Sequence, residues 1–250
     1  MDGLINYSVR KYVLSLCIII FIDQMIKNLL NLFFPKVCVA CHHLLTDNEE
    51  HICTSCRHEL PLTNYHFEGD DPVKKVFYGR VKLQRATALF RFQKKGKVQT
   101  LLHNLKYRGH EQISEFLGSW LGSELVQSNN YEDVDIVIPV PIHKRKRRIR
   151  GYNQVSKFGE EIAKSLNADY DESILVKKRR TTSQVFKQRE SRWNRSEESL
   201  ELNNWEQLSG RHILLVDDLI TTGSTIEACS NVLQKAHDIK ISVASMAIAE

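Results

Sequence analysis

Two adjacent carboxylates, Asp217 and Asp218, follow directly on an apolar run at residues 213–216. Four apolar residues in a row, bounded by charge, are typical of a buried parallel strand. A turn of small and hydroxyl residues comes next, and a helical pattern begins at Ile226. Because open α/β sheets bind ligands at the carboxyl ends of their strands, we expect a binding site here.

The turn has the composition of a phosphate-binding loop and comprises Thr221, Thr222, Gly223, Ser224 and Thr225. Its backbone N–H groups, its hydroxyls and the positive end of the next helix all suit a phosphate. The carboxylates would repel phosphate, so their expected partners are ribose hydroxyls and Mg²⁺. Phosphate, vicinal diol and metal together describe 5-phosphoribosyl-1-pyrophosphate (PRPP), and the string resembles the PRPP signature of type I phosphoribosyltransferases. An ordinary strand with an acidic end is the alternative.

A strongly basic segment joins a predicted strand at 134–140 to a predicted helix that begins near residue 152. Its basic residues are Lys144, Arg145, Lys146, Arg147, Arg148 and Arg150. If the strand neighbours 212–217, this segment is a loop over the predicted PRPP site, where its charge would compensate pyrophosphate. A solvated loop or a nucleic-acid patch is the alternative, and one loop is able to serve both pyrophosphate and DNA.

Four cysteines have the spacing of metal ligands: Cys38, Cys41, Cys53 and Cys56. Two CxxC pairs supply four thiolates to one tetrahedral zinc ion, a closed site that holds a fold together and leaves no position for a substrate. Two disulfides or unrelated thiols are the alternative. Metal-ligand spacing favours a reducing compartment, so we expect a cytoplasmic protein.

The chain of 250 residues is 42% hydrophobic and 26% charged, with a net charge of +5, as in a soluble globular protein. Its apolar run at 12–22 is shorter than the roughly 20 residues that span a bilayer, so we expect no stable membrane insertion. We interpret residues 1–24 as an unstructured extension or as sequence upstream of a true start at Met25; a membrane anchor is the alternative. A short helix and zinc ribbon at 25–75 and a main domain at 76–250 are predicted.

Strand and helix patterns alternate in the main domain, which indicates a doubly wound, mainly parallel sheet of the α/β class. The predicted elements are a hairpin at 76–93, helices at 98–106, 111–127, 152–166 and 224–236, and strands at 134–140, 173–176, 212–217 and 239–248.

Several motifs over residues 25–248 together resemble the ComF/ComFC family, phosphoribosyltransferase-like proteins of bacterial DNA uptake. They are LLNLFFPKVCVAC, a second CxxC, LKYRG, PVPIHKRKRRIRGYNQ, TxxQ with a later RWN, and VDDLITTGST. The resemblance implies a type I phosphoribosyltransferase-like fold with an N-terminal zinc ribbon. It implies that Asp217 and Asp218 hold ribose and Mg²⁺, that 221–225 holds the 5′-phosphate, and that pyrophosphate is bound by Pro139, Val140, Pro141, Ile142 and His143. Lys106 and Arg108 belong to a family motif without an assigned role.

The same resemblance implies a role in natural transformation, with PRPP and single-stranded DNA as ligands. A helicase-like motor and recombination-loader proteins are the implied partners. We expect DNA to bind the basic residues of 143–150 and 177–180. An active phosphoribosyltransferase of nucleotide salvage and a PRPP-sensing regulator are the alternatives. Purine salvage is disfavoured, because purine-salvage relatives have Asp at the position of Thr221, whereas orotate-type relatives also have Thr there.

Overall fold

The fold is described by a computed structural model that covers residues 18, 21–22, 25–26, 29, 32–67, 72–107, 110–177 and 200–249. The chain divides into two compact units, residues 1–54 and 55–250. Most of the extension predicted at 1–24 lies outside the described residues. Among the described residues, no helix has both the length and the apolar content needed to cross a membrane.

In the first unit, every described position between residues 18 and 33 is helical, and the helical positions stop shortly before Pro35. Their side chains are exposed. Downstream, an isolated antiparallel bridge pairs Val37 with Leu44, and the first three cysteines of the predicted zinc ribbon follow in irregular backbone.

The second unit is built on a five-stranded sheet in which every pairing is parallel. In chain order its strands are β1 (Ala86–Phe92), β2 (Ile136–Pro139), β3 (Asp169–Tyr170), β6 (His212–Ile220) and β7 (Lys240–Ala249). Their spatial order is β1-β7-β6-β2-β3, so the apolar strand of the predicted site lies between β7 and β2. Two further strands, β4 (Leu175–Lys177) and β5 (Leu200–Leu202), form an antiparallel pair.

Helices connect the strands and cover both faces of the sheet. They are α1 (Thr54–Glu59), α2 (Pro72–Lys75), α3 (Lys97–Tyr107), α4 (Glu111–Ser128), α5 (Lys144–Arg150), α6 (Ser156–Leu166) and α7 (Ser224–Leu233), with a 3₁₀ turn at Trp205–Leu208. Alternate strand residues point to opposite faces. Val216 contacts α6 at Gly159, whereas Leu215 belongs to the core that includes Cys229 of α7. The predicted doubly wound α/β fold is therefore confirmed.

Two local predictions were wrong. Residues 76–93 form no hairpin: their only strand is β1, which pairs with β7 at the far end of the chain, while Phe77 lies in a turn and is fully buried. The basic segment is not a loop either. Lys and Arg are good helix formers, and 144–150 is helix α5, with His143 as its N-cap and Gly151, at φ 86°, as its C-cap.

Candidate functional site

The acidic pair lies near the carboxyl end of β6, and both side chains are buried. The strand is longer than predicted and runs on to Ile220, because its pairing with β7 continues to Ile248. The backbone N–H of Asp218 donates a hydrogen bond of 2.8 Å to Oδ1 of Asp217. The pair is therefore held at the centre of the sheet, with the turn at 221–223 directly after the strand.

Two side chains from distant parts of the chain hold Asp218. Nζ of Lys106, near the end of α3, lies 2.6 Å from Asp218 Oδ2. Nε2 of Gln154 donates to the same oxygen at 3.1 Å. The Gln154 amide oxygen in turn accepts a hydrogen bond of 2.6 Å from Arg150. This network gives Lys106 a contact within the predicted site, whereas Arg108 lies outside the described residues.

Asp217 has no such cation at hydrogen-bond distance among the described residues, and its protonation differs from that of an ordinary aspartate. Burial, and after it the neighbouring charge of Asp218, raises the pKa of Asp217 from 3.8 to about 7. Desolvation disfavours the charged form of a carboxyl group, and a like charge nearby acts in the same direction. A divalent cation bound at this pair would reverse both effects.

The predicted phosphate turn is open to solvent at its hydroxyl residues. Thr221, Thr222, Ser224 and Thr225 are exposed, and Gly223 is buried between them. Gly223 has φ +74°, a conformation that side chains rarely adopt, and a Cβ there would lie 2.5 Å from Cε1 of Phe77. Glycine is therefore required for the backbone to turn into α7 at this point.

Arg80 fixes the turn from outside it. Its guanidinium donates 2.8 Å hydrogen bonds to the carbonyl of Thr222 and to Oε2 of Glu227, in the first turn of α7. It also donates to the carbonyl of Val76. One side chain thus joins the end of β6, the start of α7 and the segment before β1. No sequence pattern pointed to Arg80.

The connection from β2 to α5 begins beside the acidic pair. Pro139 is in register with Val216, and the N–H of Val140 donates to the Val216 carbonyl at 2.9 Å. The adjacency of these two strands, on which the predicted pyrophosphate position depends, is therefore confirmed. Pro141 is buried and His143 is exposed. Nδ1 of His143 accepts a hydrogen bond of 3.1 Å from the N–H of Arg145.

The four cysteines of the predicted ribbon converge. The Sγ atoms of Cys38, Cys41, Cys53 and Cys56 all lie within 4.8 Å of one another. Tetrahedral zinc with bonds of about 2.3 Å places its sulfurs about 3.8 Å apart, and Cys41 and Cys53 are separated by 3.7 Å. None of the four forms a disulfide with another described cysteine. The donor set therefore fits a structural zinc ion.

The cluster also favours the thiolate form that zinc requires. Burial raises the pKa of Cys38, but hydrogen bonds from the backbone N–H groups of Cys53, Ala40 and Cys41 outweigh it and lower that pKa to about 7. The Cys53 N–H lies 3.4 Å from Cys38 Sγ. A thiolate that is already stabilised costs less to deprotonate on metal binding.

Two domain families match parts of this chain. Residues 29–67 match the double zinc ribbon domain family, and residues 156–249 match the phosphoribosyl transferase domain family. Competence protein ComFC of Bacillus subtilis (strain 168) is 25% identical over 240 residues, 94% of either chain. The DNA utilization protein YhgH of Escherichia coli (strain K12) is 24% identical over 200 residues, 79% of this chain and 83% of that protein.

Competence protein F of Haemophilus influenzae is 30% identical over 115 residues, 45% of this chain and 50% of that protein. The resemblance to the ComF/ComFC family is confirmed. The cysteine cluster falls within the matched zinc ribbon, and the acidic pair with its turn falls within the matched transferase domain. Lys106 and helix α5 lie outside both matched segments.

Proposed function

We propose that this chain binds PRPP together with Mg²⁺ at the end of β6 and handles single-stranded DNA in natural transformation. The observation that carries the proposal is the juxtaposition of the buried Asp217–Asp218 pair with the Gly223 turn that opens α7. A diol and a cation suit the carboxylates, and a phosphate suits the turn and the helix end. The named activities of the relatives, competence and DNA utilization, support the DNA role.

In the proposed complex the sugar hydroxyls and Mg²⁺ are held by Asp217 and Asp218, and the 5′-phosphate by residues 221–225. Residues 139–143 are the proposed pyrophosphate position. Bound Mg²⁺ would supply positive charge to the departing pyrophosphate. Because Nζ of Lys106 lies 2.6 Å from Oδ2 of Asp218, cation binding there competes with an ammonium group.

Binding without turnover and catalysis are distinguished by one experiment. Pyrophosphate release from PRPP is measured across a panel of nucleobases, and PRPP binding and single-stranded DNA binding are measured on the same preparation. DNA binding without pyrophosphate release supports a PRPP-binding protein of the DNA uptake machinery, with motor and loader proteins as its expected partners. Release with one base supports a salvage enzyme, and PRPP binding without either supports a sensor.

The raised pKa of Asp217 predicts a pH dependence for ligand binding and for stability. Mg²⁺ binds the ionised carboxylate, so we expect PRPP affinity to fall about tenfold per pH unit below pH 7, with proton release on binding. Without ligand, the expected stability of the folded chain falls as the pH rises, whereas ligand affinity increases. Because the folded pKa of about 7 exceeds the ordinary value of 3.8, this group's stabilising contribution is full below pH 3.8 and is lost as the pH rises through 7.

Asp217→Asn removes the loss of stability that ionisation of Asp217 causes as the pH rises. We expect its free energy of unfolding, relative to the wild type, to rise between pH 5 and pH 8 by on the order of 2 kcal/mol. Urea unfolding of the ligand-free proteins at the two pH values measures this difference. Glu132→Gln is the control, since Glu132 is exposed. A difference between Asp217→Asn and wild type that stays constant with pH would contradict the assignment.

The DNA role predicts a salt-dependent contribution from α5. Replacing Lys144, Lys146 and Arg148 with alanine is expected to weaken single-stranded DNA binding roughly 10- to 100-fold, uniformly across sequences. Each lost phosphate contact flattens the log–log salt slope by about 0.7 on single strands, so the slope should change by about 2. Fluorescence anisotropy titrations at several salt concentrations measure both quantities.

The matched control removes the same charge elsewhere in the second unit by replacing Lys82, Lys94 and Lys235, which are all exposed. Equal weakening by the two triple variants would show that α5 has no special role in DNA binding. Loss of PRPP binding without any loss of DNA binding would restrict α5 to pyrophosphate. The second predicted basic cluster is 177–180, of which 178–180 lie outside the described residues.

A further inference from the structure

A cavity of about 240 Å³ lies between the end of α3 and the basic helix α5. Its lining residues are Lys106, Tyr107, Lys146, Ile149 and Arg150. Side chains three and four positions apart lie together on a helix. The three lining residues from α5, at positions 146, 149 and 150, therefore form one face of that helix, which is turned towards α3.

The cavity presents an aromatic ring and an aliphatic side chain to solvent. Tyr107 is 69% exposed and Ile149 is 75% exposed. Cζ of Arg150 lies 5.8 Å from the centroid of the Tyr107 ring. Tyr152, the other tyrosine near this site, is less available, because it is half-buried and its hydroxyl donates to the carbonyl of Leu105. Tyr107 is therefore the exposed aromatic surface at this position.

The cavity is lined by three cations and by no carboxylate. Lys106 is paired with Asp218, and Arg150 donates to Gln154. Lys146 has no carboxylate partner within the part of the chain that the structure describes, and the same holds for Lys144, Arg145 and Arg148. Unpaired positive charge thus continues along α5 beyond the cavity. This extension favours a polyanion over a single small acid.

We propose that this cavity binds one nucleotide of a single-stranded DNA, with the base against Tyr107 and Ile149 and the flanking phosphates on the cations of α5. Stacking on an aromatic ring beside a basic groove is the general way in which proteins hold single strands without reading their sequence. The inference rests on the proposed DNA role and deepens it, because it names the part of the surface that receives a base.

The position of the cavity places that nucleotide next to the acidic pair. Lys106 both lines the cavity and contacts Asp218 at 2.6 Å. A strand bound in the cavity therefore lies one side chain away from the proposed PRPP site, and the two sites are contiguous.

The test compares two labelled strands with the same number of phosphates, oligothymidylate and an abasic strand, by fluorescence anisotropy at one salt concentration. Wild-type protein is expected to bind oligothymidylate more tightly. Tyr107→Ala should weaken oligothymidylate binding roughly 5- to 100-fold and leave the abasic strand unchanged, because it removes stacking and no charge. Tyr107→Phe keeps the ring and should retain wild-type affinity. Tyr78→Ala, at another exposed tyrosine (65%), should have no effect.

If Tyr107→Ala weakens the binding of both strands equally, or weakens the binding of neither, the assignment of the cavity is overturned. Wild-type protein that binds both strands equally would also overturn it, while the proposed DNA role would stand. Wild-type protein that binds neither strand would overturn the DNA role itself. The failure of the inference and the failure of the proposed function are thus distinguished.

Discussion

Replacing Asp217 and Asp218 together with alanine is expected to abolish Mg²⁺-dependent PRPP binding, with a loss of affinity of at least about 100-fold. Both carboxylates are buried at the end of β6, and hard cations such as Mg²⁺ are held in proteins chiefly by carboxylate oxygens. Isothermal titration calorimetry with PRPP, with and without Mg²⁺, measures the loss.

The double asparagine variant keeps the side-chain shape and removes only the charge, so it distinguishes loss of a ligand site from loss of the fold. It should lose PRPP binding while its far-ultraviolet circular dichroism is unchanged. Alanine at Glu115 and Glu132, both exposed, removes the same net charge and should leave affinity intact. Unchanged PRPP affinity in a folded asparagine variant would contradict the site.

Most of the sheet was predictable because its central strands are continuous apolar runs. Residues 213–216 are such a run and lie in the first half of β6. The prediction at 76–93 was wrong because β-branched and aromatic residues there indicate burial, but not the partner. Phe77 is buried against Gly223, about 150 residues later in the chain, and β1 pairs with β7. A local pattern does not specify a partner at that separation.

The candidate site, like the sheet, was only partly predictable from the sequence. The acidic pair and its turn are contiguous, so their spacing alone predicts a site. Lys106, Gln154 and Arg80 reach this region from three other segments, and only the fold brings them together. The LKYRG and GYNQ motifs draw attention to Lys106 and Gln154 without stating a contact. The dense positive charge of 144–150 suggests a solvated loop, but Lys and Arg are good helix formers, and His143 and Gly151 cap helix α5.

Removal of zinc is expected to unfold residues 36–60 and to leave the parallel sheet folded. Among the described residues, this segment has little regular structure besides the bridge between Val37 and Leu44 and the short helix α1. Structural zinc contributes on the order of 10–16 kcal/mol to small metal-bound folds, as much as the entire stability of many domains. Such a segment has no comparable source of stability once the ion is gone.

Cys41→Ser tests this expectation directly, since Cys41 supplies one of the four converging thiols. Elemental analysis should find one zinc ion per wild-type chain and a large loss in the variant. Hydrogen exchange should lose protection at 36–60 and keep it at 212–220 and 240–249. Cys229→Ala is the matched control, because Cys229 lies on the buried face of α7, in the core, and its replacement should leave the zinc content unchanged. Wild-type protein purified without metal, or unchanged protection at 36–60 in Cys41→Ser, would show that the four cysteines are not a structural zinc site.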